Sequence, residues 1–282
     1  MQVTFYGVRG STPAPGAEYA KYGGNTACVH VQLSDKTHLI LDSGTGIKKL
    51  GQVLAPKLDN LHLLLSHNHW DHIQGFPFFT PAFQVGRNIT ITPGLTSPDE
   101  PEAILNQMSG SWFPVDRQAL LANITIEKRP ESIASWQLGS ATITRKKMNH
   151  PGSGSAYLIE ENGTKLAYVT DNELYPPEHK ETGFDEWVEF VKGADLLIHD
   201  GQYTQADLPL KHGWGHSLTT QALDLAVASK VKHCALYSHD HTRDDHTLEK
   251  IELELKKTVA QQNGQVDIFA AQEGMSLFLG NN

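Results

Sequence analysis

LLLSHNHWDHIQG, residues 63–75, is the stretch on which the reading of this chain turns. A short apolar strand, Leu61–Leu65, runs into His67, His69, Asp71 and His72 within six positions. These side chains are polar and poor strand formers, so packing gives no reason to crowd them there. Histidines at i and i+2 on a turn after a strand can point the same way and share one ion, and Asp71 and His72 can turn toward a second. Imidazole nitrogen with carboxylate oxygen suits Zn, Mn or Fe. One such cluster cannot fill two coordination spheres, so further donors are expected downstream at strand ends. His150 in KKMNHPGSG, Asp171 in AYVTDNE and His239 in LYSHDH meet that expectation. Asp171 could bridge two ions with its two oxygens. A lone histidine among 15 reads as a surface or capping residue; HxHxDH with three more donors at strand ends reads as a metal centre.

Length and composition set the frame. The chain has 282 residues, enough to bury a large core without staples, and reads as one domain, 1–282, with residues 78–136 as a lid insert or part of the core. Lys+Arg of 23 against Asp+Glu of 32 gives a net charge of −9. That sign argues against a broad nucleic-acid footprint, which relies on clustered Lys and Arg. It leaves room for a small anion held by metal ions, whose charge is not in the count. Cys28 and Cys234 lie in apolar segments and read as buried free thiols. No apolar run approaches the roughly 20 residues of a membrane span, and nothing marks export, so the cytoplasm is the expectation.

Strand-like and helix-like runs alternate throughout. Strands are predicted at residues 2–6, 28–33, 38–41, 61–65, 89–92, 124–127, 142–147, 155–160, 166–170, 196–199, 233–237 and 266–269. Helices are predicted at 47–54, 98–108, 184–192, 218–229 and 243–260. This is a layered α/β pattern. Asp42, the 67–72 cluster, His150, Asp171, Asp200 and His239 all fall where strands end, so they can converge on one edge.

SHNHWDH resembles the signature of the metallo-β-lactamase superfamily. FYGVRGSTPAPG, YGGNTACV, LILDSGTG and the later DLLIHDGQYT, GWGHSLTTQALDLA and CALYSHDH are similar to its phosphodiesterase branch, with tRNase Z and phosphoribosyl cyclic phosphodiesterases. The likeness runs from about residue 3 to about residue 250. It implies an α/β fold, the four-layer αββα sandwich, with two divalent ions at one edge, Zn first and Mn or Fe next. His67, His69 and His150 would hold one ion; Asp71, His72 and His239 the other; Asp171 would lie between. The activity implied is a metal-dependent hydrolase, with a metal-bridging hydroxide attacking a phosphodiester. The catalytic set is Asp71, His216 as general acid, and Asp200 as its support.

Asp42 is expected to orient a ligand histidine, and the Gly44–Gly46 turn is either a tight packing turn or an anion contact. Arg9 reads as an exposed loop arginine before it reads as a phosphate contact. Met108, Trp112, Phe113 and Leu120 form either an apolar lid or core. The expected partner is a small phosphodiester, such as a cyclic nucleotide or cyclic sugar phosphate, with no membrane and no extended nucleic acid. A homodimer is the general prior for such enzymes. The alternatives are a lactone or thioester hydrolase, an RNA 3′-end-processing nuclease, and a non-catalytic metal-bound sensor.

Overall fold

Strands that are apolar on every side chain need cover on both faces, and the chain supplies it by stacking two mixed sheets between helices. The computed structural model describes residues 1–262 and 264–280. The first sheet holds β1 (Gln2–Gly7), β2 (Cys28–Gln32), β3 (His38–Leu41), β4 (Leu61–Leu64), β5 (Asn88–Thr92) and β6 (Asn123–Ile126). The second holds β7 (Ser135–Leu138), β8 (Ala141–Lys147), β9 (Ser155–Glu161), β10 (Thr164–Val169), β11 (Leu196–Asp200), β12 (His233–Tyr237) and β13 (Asp267–Ala270). A last strand, β14 (Ser276–Phe278), returns to the first sheet beside β1. Each sheet has seven strands, ordered β14-β1-β2-β3-β4-β5-β6 and β13-β12-β11-β10-β9-β8-β7. Each is antiparallel on one side and parallel on the other, the parallel parts being β3 to β6 and β10 to β13.

The helices are α1 (Ile47–Leu54), α2 (Trp70–Ile73), α3 (Ala103–Asn106), α4 (Phe184–Phe190), α5 (Thr219–Ala228) and α6 (Asp245–Gln261). Inner faces of both sheets meet through Phe5, Val31 and Leu41 on one side and Tyr157, Tyr168 and Ile198 on the other. The outer face of the second sheet packs Leu197, Leu236 and Ile268 against Trp187, Leu223 and Leu255 of α4, α5 and α6. The outer face of the first packs Ile40, Leu63 and Ile91 against Leu50, Phe79 and Ile104. The result is the expected four-layer αββα sandwich. Among the described residues no helix is long and apolar enough to cross a membrane.

Differences from expectation have local causes. The helix predicted over 98–108 shrinks to Ala103–Asn106, because Pro98 and Pro101 bias the residues before them away from helix. β7, β14 and the single turn α2 were not foreseen. Two are short strands at sheet edges, and α2 is only four residues long. Asp244 is the N-cap of α6, its side chain accepting from Thr247 N. Arg9 is fully buried, not exposed. Its guanidinium donates to the carbonyls of Gly23, Asp240 and Arg243, tying the N-terminal loop to the start of α6.

The 78–136 segment is mostly fold, since β5 and β6 lie in it. Met108 is fully buried against the first sheet, Phe113 and Leu120 are half-buried beside it, and Trp112 is 73% exposed. Met108→Ala should therefore cost ~2–5 kcal/mol in urea unfolding. Trp112→Ala should stay within about 0.5 kcal/mol, as surface changes do; a large loss there would place Trp112 in the core in solution.

Candidate metal centre

Parallel strands deliver their carboxyl ends to one edge, and the site is assembled there. Asp42 follows β3, Ser66 and His67 follow β4, Asp171 follows β10, Asp200 ends β11 and His239 follows β12. His67, His69 and His150 offer nitrogens within 4.8 Å of one another. His67, His72 and Asp171 form a second such group, and His150, Asp171 and His216 a third. Residues up to 149 positions apart in sequence thus converge (216 − 67).

Tautomers follow from the hydrogen bonds. His150 Nδ1 donates to Gly215 O at 3.0 Å, so its Nε2 carries the lone pair, facing His69 Nδ1 at 3.0 Å. Burial, outweighing the neighbouring charges, lowers the pKa of His67 and His69 and takes His150 to about 4, which keeps these imidazoles neutral. His67 Nε2 is buried with no hydrogen-bond partner. An orphaned lone pair in such surroundings is what a cation would satisfy.

The second half of the cluster is carboxylate-rich. His72 Nε2 lies 3.2 Å from Asp171 Oδ2 and 3.3 Å from Asp71 Oδ2. Burial opposes charge on His72, but Asp171, Asp71 and Asp42 overcome it and raise its pKa well above the usual value. Two carboxylates converging on one imidazole nitrogen mark a place for positive charge. Asp71 is fixed by Ser11 N, which donates to its Oδ2 at 2.7 Å.

His239 does not join these groups. It is buried, edge-on to Tyr22, and its Nε2 donates to Ala271 O at 3.0 Å, leaving Nδ1 as its remaining donor atom. The two oxygens of Asp171 have unlike surroundings. Its Oδ1 already accepts from Thr170 Oγ1 at 2.7 Å and Ser238 Oγ at 2.9 Å. Only Oδ2 faces the histidines.

Asp42 supports the cluster from behind. Its carboxylate accepts from Ser66 N (2.7 Å), Ser66 Oγ (2.7 Å), His72 Nδ1 (2.8 Å) and Tyr168 Oη (2.7 Å). Ser66 Oγ also lies 2.9 Å from His67 Nδ1. Sequence reading missed Ser66, Tyr168, Ser11 and Ser238: each acts through a contact between distant segments or as an ordinary strand residue. The anion role for the Gly44–Gly46 turn is excluded. Gly44 N and Gly46 N donate to Ala27 O and Thr26 O, and a Cβ at Gly44 would sit 2.3 Å from Asp71 O.

His216 and Asp200 form a dyad beside the cluster, with Nδ1 2.6 Å from Asp200 Oδ2. Asp200 is itself held by Gln202 N and Asn172 N. Burial takes Asp200 up to about 6, while on His216 burial is outweighed by Asp200, then Asp171, giving about 9. At neutral pH the pair is carboxylate and imidazolium. The Ser217 hydroxyl beside the dyad donates to Asn172 O and accepts from Leu174 N.

The donor set fits divalent ions, and its support is testable. Asp42→Asn should weaken metal uptake about 10- to 100-fold, as loss of outer partners does, read by competition with a chromophoric chelator. Uptake equal to wild type would assign Asp42 to folding alone.

Comparison with known proteins gives the family and the fold. A family model described as a beta-lactamase superfamily domain matches residues 39–239. A ribonuclease Z of Picrophilus torridus is 21% identical over 284 residues, covering 87% of each protein. The metallo-β-lactamase fold protein YhfI of Bacillus subtilis superposes with a TM-score of 0.71 at 19% identity, covering 99% of both chains. A diphosphatase from the PhnP family gives 0.67 at 17% identity, covering 98% of this chain and 97% of its own. Zn²⁺-bound PqqB from Methylobacterium extorquens gives 0.67 at 16%, covering 99% and 100%. At such identities these structures speak to fold, and the family match covers well over half of the sequence. The chain belongs to the β-lactamase superfamily.

Proposed function

We propose that this protein is a dinuclear metal-dependent phosphodiesterase acting on a small diester, such as a cyclic nucleotide or cyclic sugar phosphate. The observation that carries the reading is the position of His216: braced by Asp200, it lies within 4.8 Å of donor atoms of both His150 and Asp171. A phosphodiester is an anion with an alkoxide leaving group. It needs positive charge at the phosphoryl oxygens and a proton at the departing oxygen, and the site brings a cation-binding cluster next to an imidazolium.

In this reading His67, His69 and His150 hold one ion, and Asp71, His72 and His239, through its Nδ1, the other. Asp171 Oδ2 lies between. Zinc is the first choice, with Mn or Fe next. Divalent ions held there supply Lewis-acid charge and activation of water at neutral pH. His216 donates the proton from Nε2 and Asp200 fixes the ring. A cavity of about 740 Å³ lined by Lys147, His150, Trp214 and Gly215 adjoins the cluster, a size suited to a compact ligand. We place the protein in the cytoplasm, where free thiols such as Cys28 and Cys234 persist.

A second reading, an RNA-processing nuclease, draws support from the ribonuclease Z relatives and from exposed Trp70, Phe78 and Trp112 around a 450 Å³ depression, which offer faces for base stacking. Against it stands the net charge of −9, the wrong sign for a bulky polyanion. A thioester substrate leaves as a thiolate of low pKa and has little use for the dyad. A sensor has none.

A panel of bis(p-nitrophenyl) phosphate, cyclic nucleotides, cyclic dinucleotides, lactones, thioesters and 3′-extended tRNA, run with Zn, Mn, Fe and Co, separates these readings. Turnover of small diesters is expected; cleavage of the tRNA alone would transfer the assignment to RNA, and turnover of none of the diesters would end it. His216→Ala should slow alkyl diesters by about 10²-fold or more, the scale of general acid catalysis, and p-nitrophenyl esters far less. Asp200→Asn strips the imidazolium of its counter-charge, so the alkaline fall in kcat/KM should move to lower pH. An unmoved profile would assign that limb to another group.

A further inference from the structure

We infer that Ser238 and Thr170 are positioning residues that reduce Asp171 to a single available oxygen, so that Oδ2 alone is shared between the two halves of the cluster. The inference rests on the dinuclear reading above. A carboxylate oxygen has two lone pairs in its plane. On Oδ1 both are engaged, by Thr170 Oγ1 at 2.7 Å and Ser238 Oγ at 2.9 Å. On Oδ2 neither is engaged by a hydroxyl. It lies 3.2 Å from His72 Nε2 and 3.8 Å from the unpartnered His67 Nε2, one from each half.

The two hydroxyls reach Oδ1 from different strands. Thr170 follows β10, and Ser238 follows β12, 67 residues from Asp171 in sequence. Asp171 and Ser238 both sit in the left-handed region, at φ 43° and 55°, where non-glycine residues are uncommon. Backbone in that conformation is held only where surrounding contacts determine it.

The direction of the Ser238 hydroxyl is also determined. Its other neighbour, Gln202 Oε1, is neutral and at 3.4 Å, whereas Asp171 is charged and at 2.9 Å, so the proton goes to Asp171. Gln202 in turn donates from Nε2 to Ser11 Oγ at 3.1 Å, on the residue whose N–H holds Asp71. Gly10 closes the arrangement. A Cβ there would lie 2.3 Å from Gln202 Oε1 and 2.6 Å from Ser238 Oγ. One chain of contacts therefore sets both carboxylates of the cluster.

The test titrates metal-free wild type, Ser238→Ala, Thr170→Val and Thr170→Ser with Zn²⁺ against a chromophoric chelator, with apo Tm measured in parallel. Wild type is expected to take up two ions. Ser238→Ala and Thr170→Val should each raise the Kd of at least one ion by about tenfold or more, the scale of lost outer partners, and Thr170→Ser should stay within about twofold of wild type because it keeps the hydroxyl. Thr170→Val is near-isosteric and approaches the same oxygen from another strand, so it serves if Ser238→Ala does not fold. Two ions bound by wild type and both variants with equal Kd, whatever the loss of Tm, would overturn the positioning role while leaving the dinuclear reading intact. No uptake by wild type would instead overturn the dinuclear reading, and this inference with it.

Discussion

The buried carboxylate of Asp42 is the interaction on which the rest of the site depends. A charge removed from water is costly unless donors surround it, and four donors converge here at 2.7–2.8 Å. They come from three places: Ser66 after β4, His72 in α2, and Tyr168 in β10. Asp42, Ser66 and His72 belong to the first sheet and its connections, and Tyr168 to the second. The same group that orients two histidines also joins the sheets at the edge where the cluster forms. Loss of a donor would leave part of a buried charge unsatisfied, so fold and site are coupled at this point.

Around that anchor, electrostatics divides the cluster into two unlike halves. His67 and His150 are desolvated and neutral, and together with the more exposed His69 they present imidazole nitrogens. His72, Asp71 and Asp171 concentrate negative charge on one imidazole. Divalent ions would complete both, the first by satisfying the orphaned His67 Nε2 and the second by replacing the proton that the carboxylates draw onto His72. The net charge of −9 is therefore no guide to the potential at the site, since the ions and the imidazolium of His216 are local and positive.

The dyad of Asp200 and His216 gives this centre its chemical direction. In the proposed reaction, charge at a phosphoryl group and a proton at a leaving oxygen are separate demands, and neighbouring but distinct groups would meet them. The turn carrying His216 is itself fixed, because Glu173 accepts from Gly213 N and Gly215 N, and Gly215 O accepts from the ligand His150. His150 is thus tied to the backbone of the residue just before His216.

Much of this was legible in the sequence. HxHxDH after an apolar strand, more donors at later strand ends, and helix–strand alternation point to candidate donors and a layered α/β protein, because donor chemistry and hydrophobic periodicity are local properties; the four-layer sandwich followed from the resemblance of SHNHWDH to its superfamily. Arg9 shows the limit: nothing in GVRGS says that three carbonyls from residues 23, 240 and 243 will enclose it. Which oxygen of Asp171 remains available and which nitrogen of His239 is committed were likewise decided only by tertiary structure. Those outcomes depend on hydroxyls and carbonyls brought together across the sheets, and a hydrogen bond is fixed by distance and angle in space rather than by order along the chain.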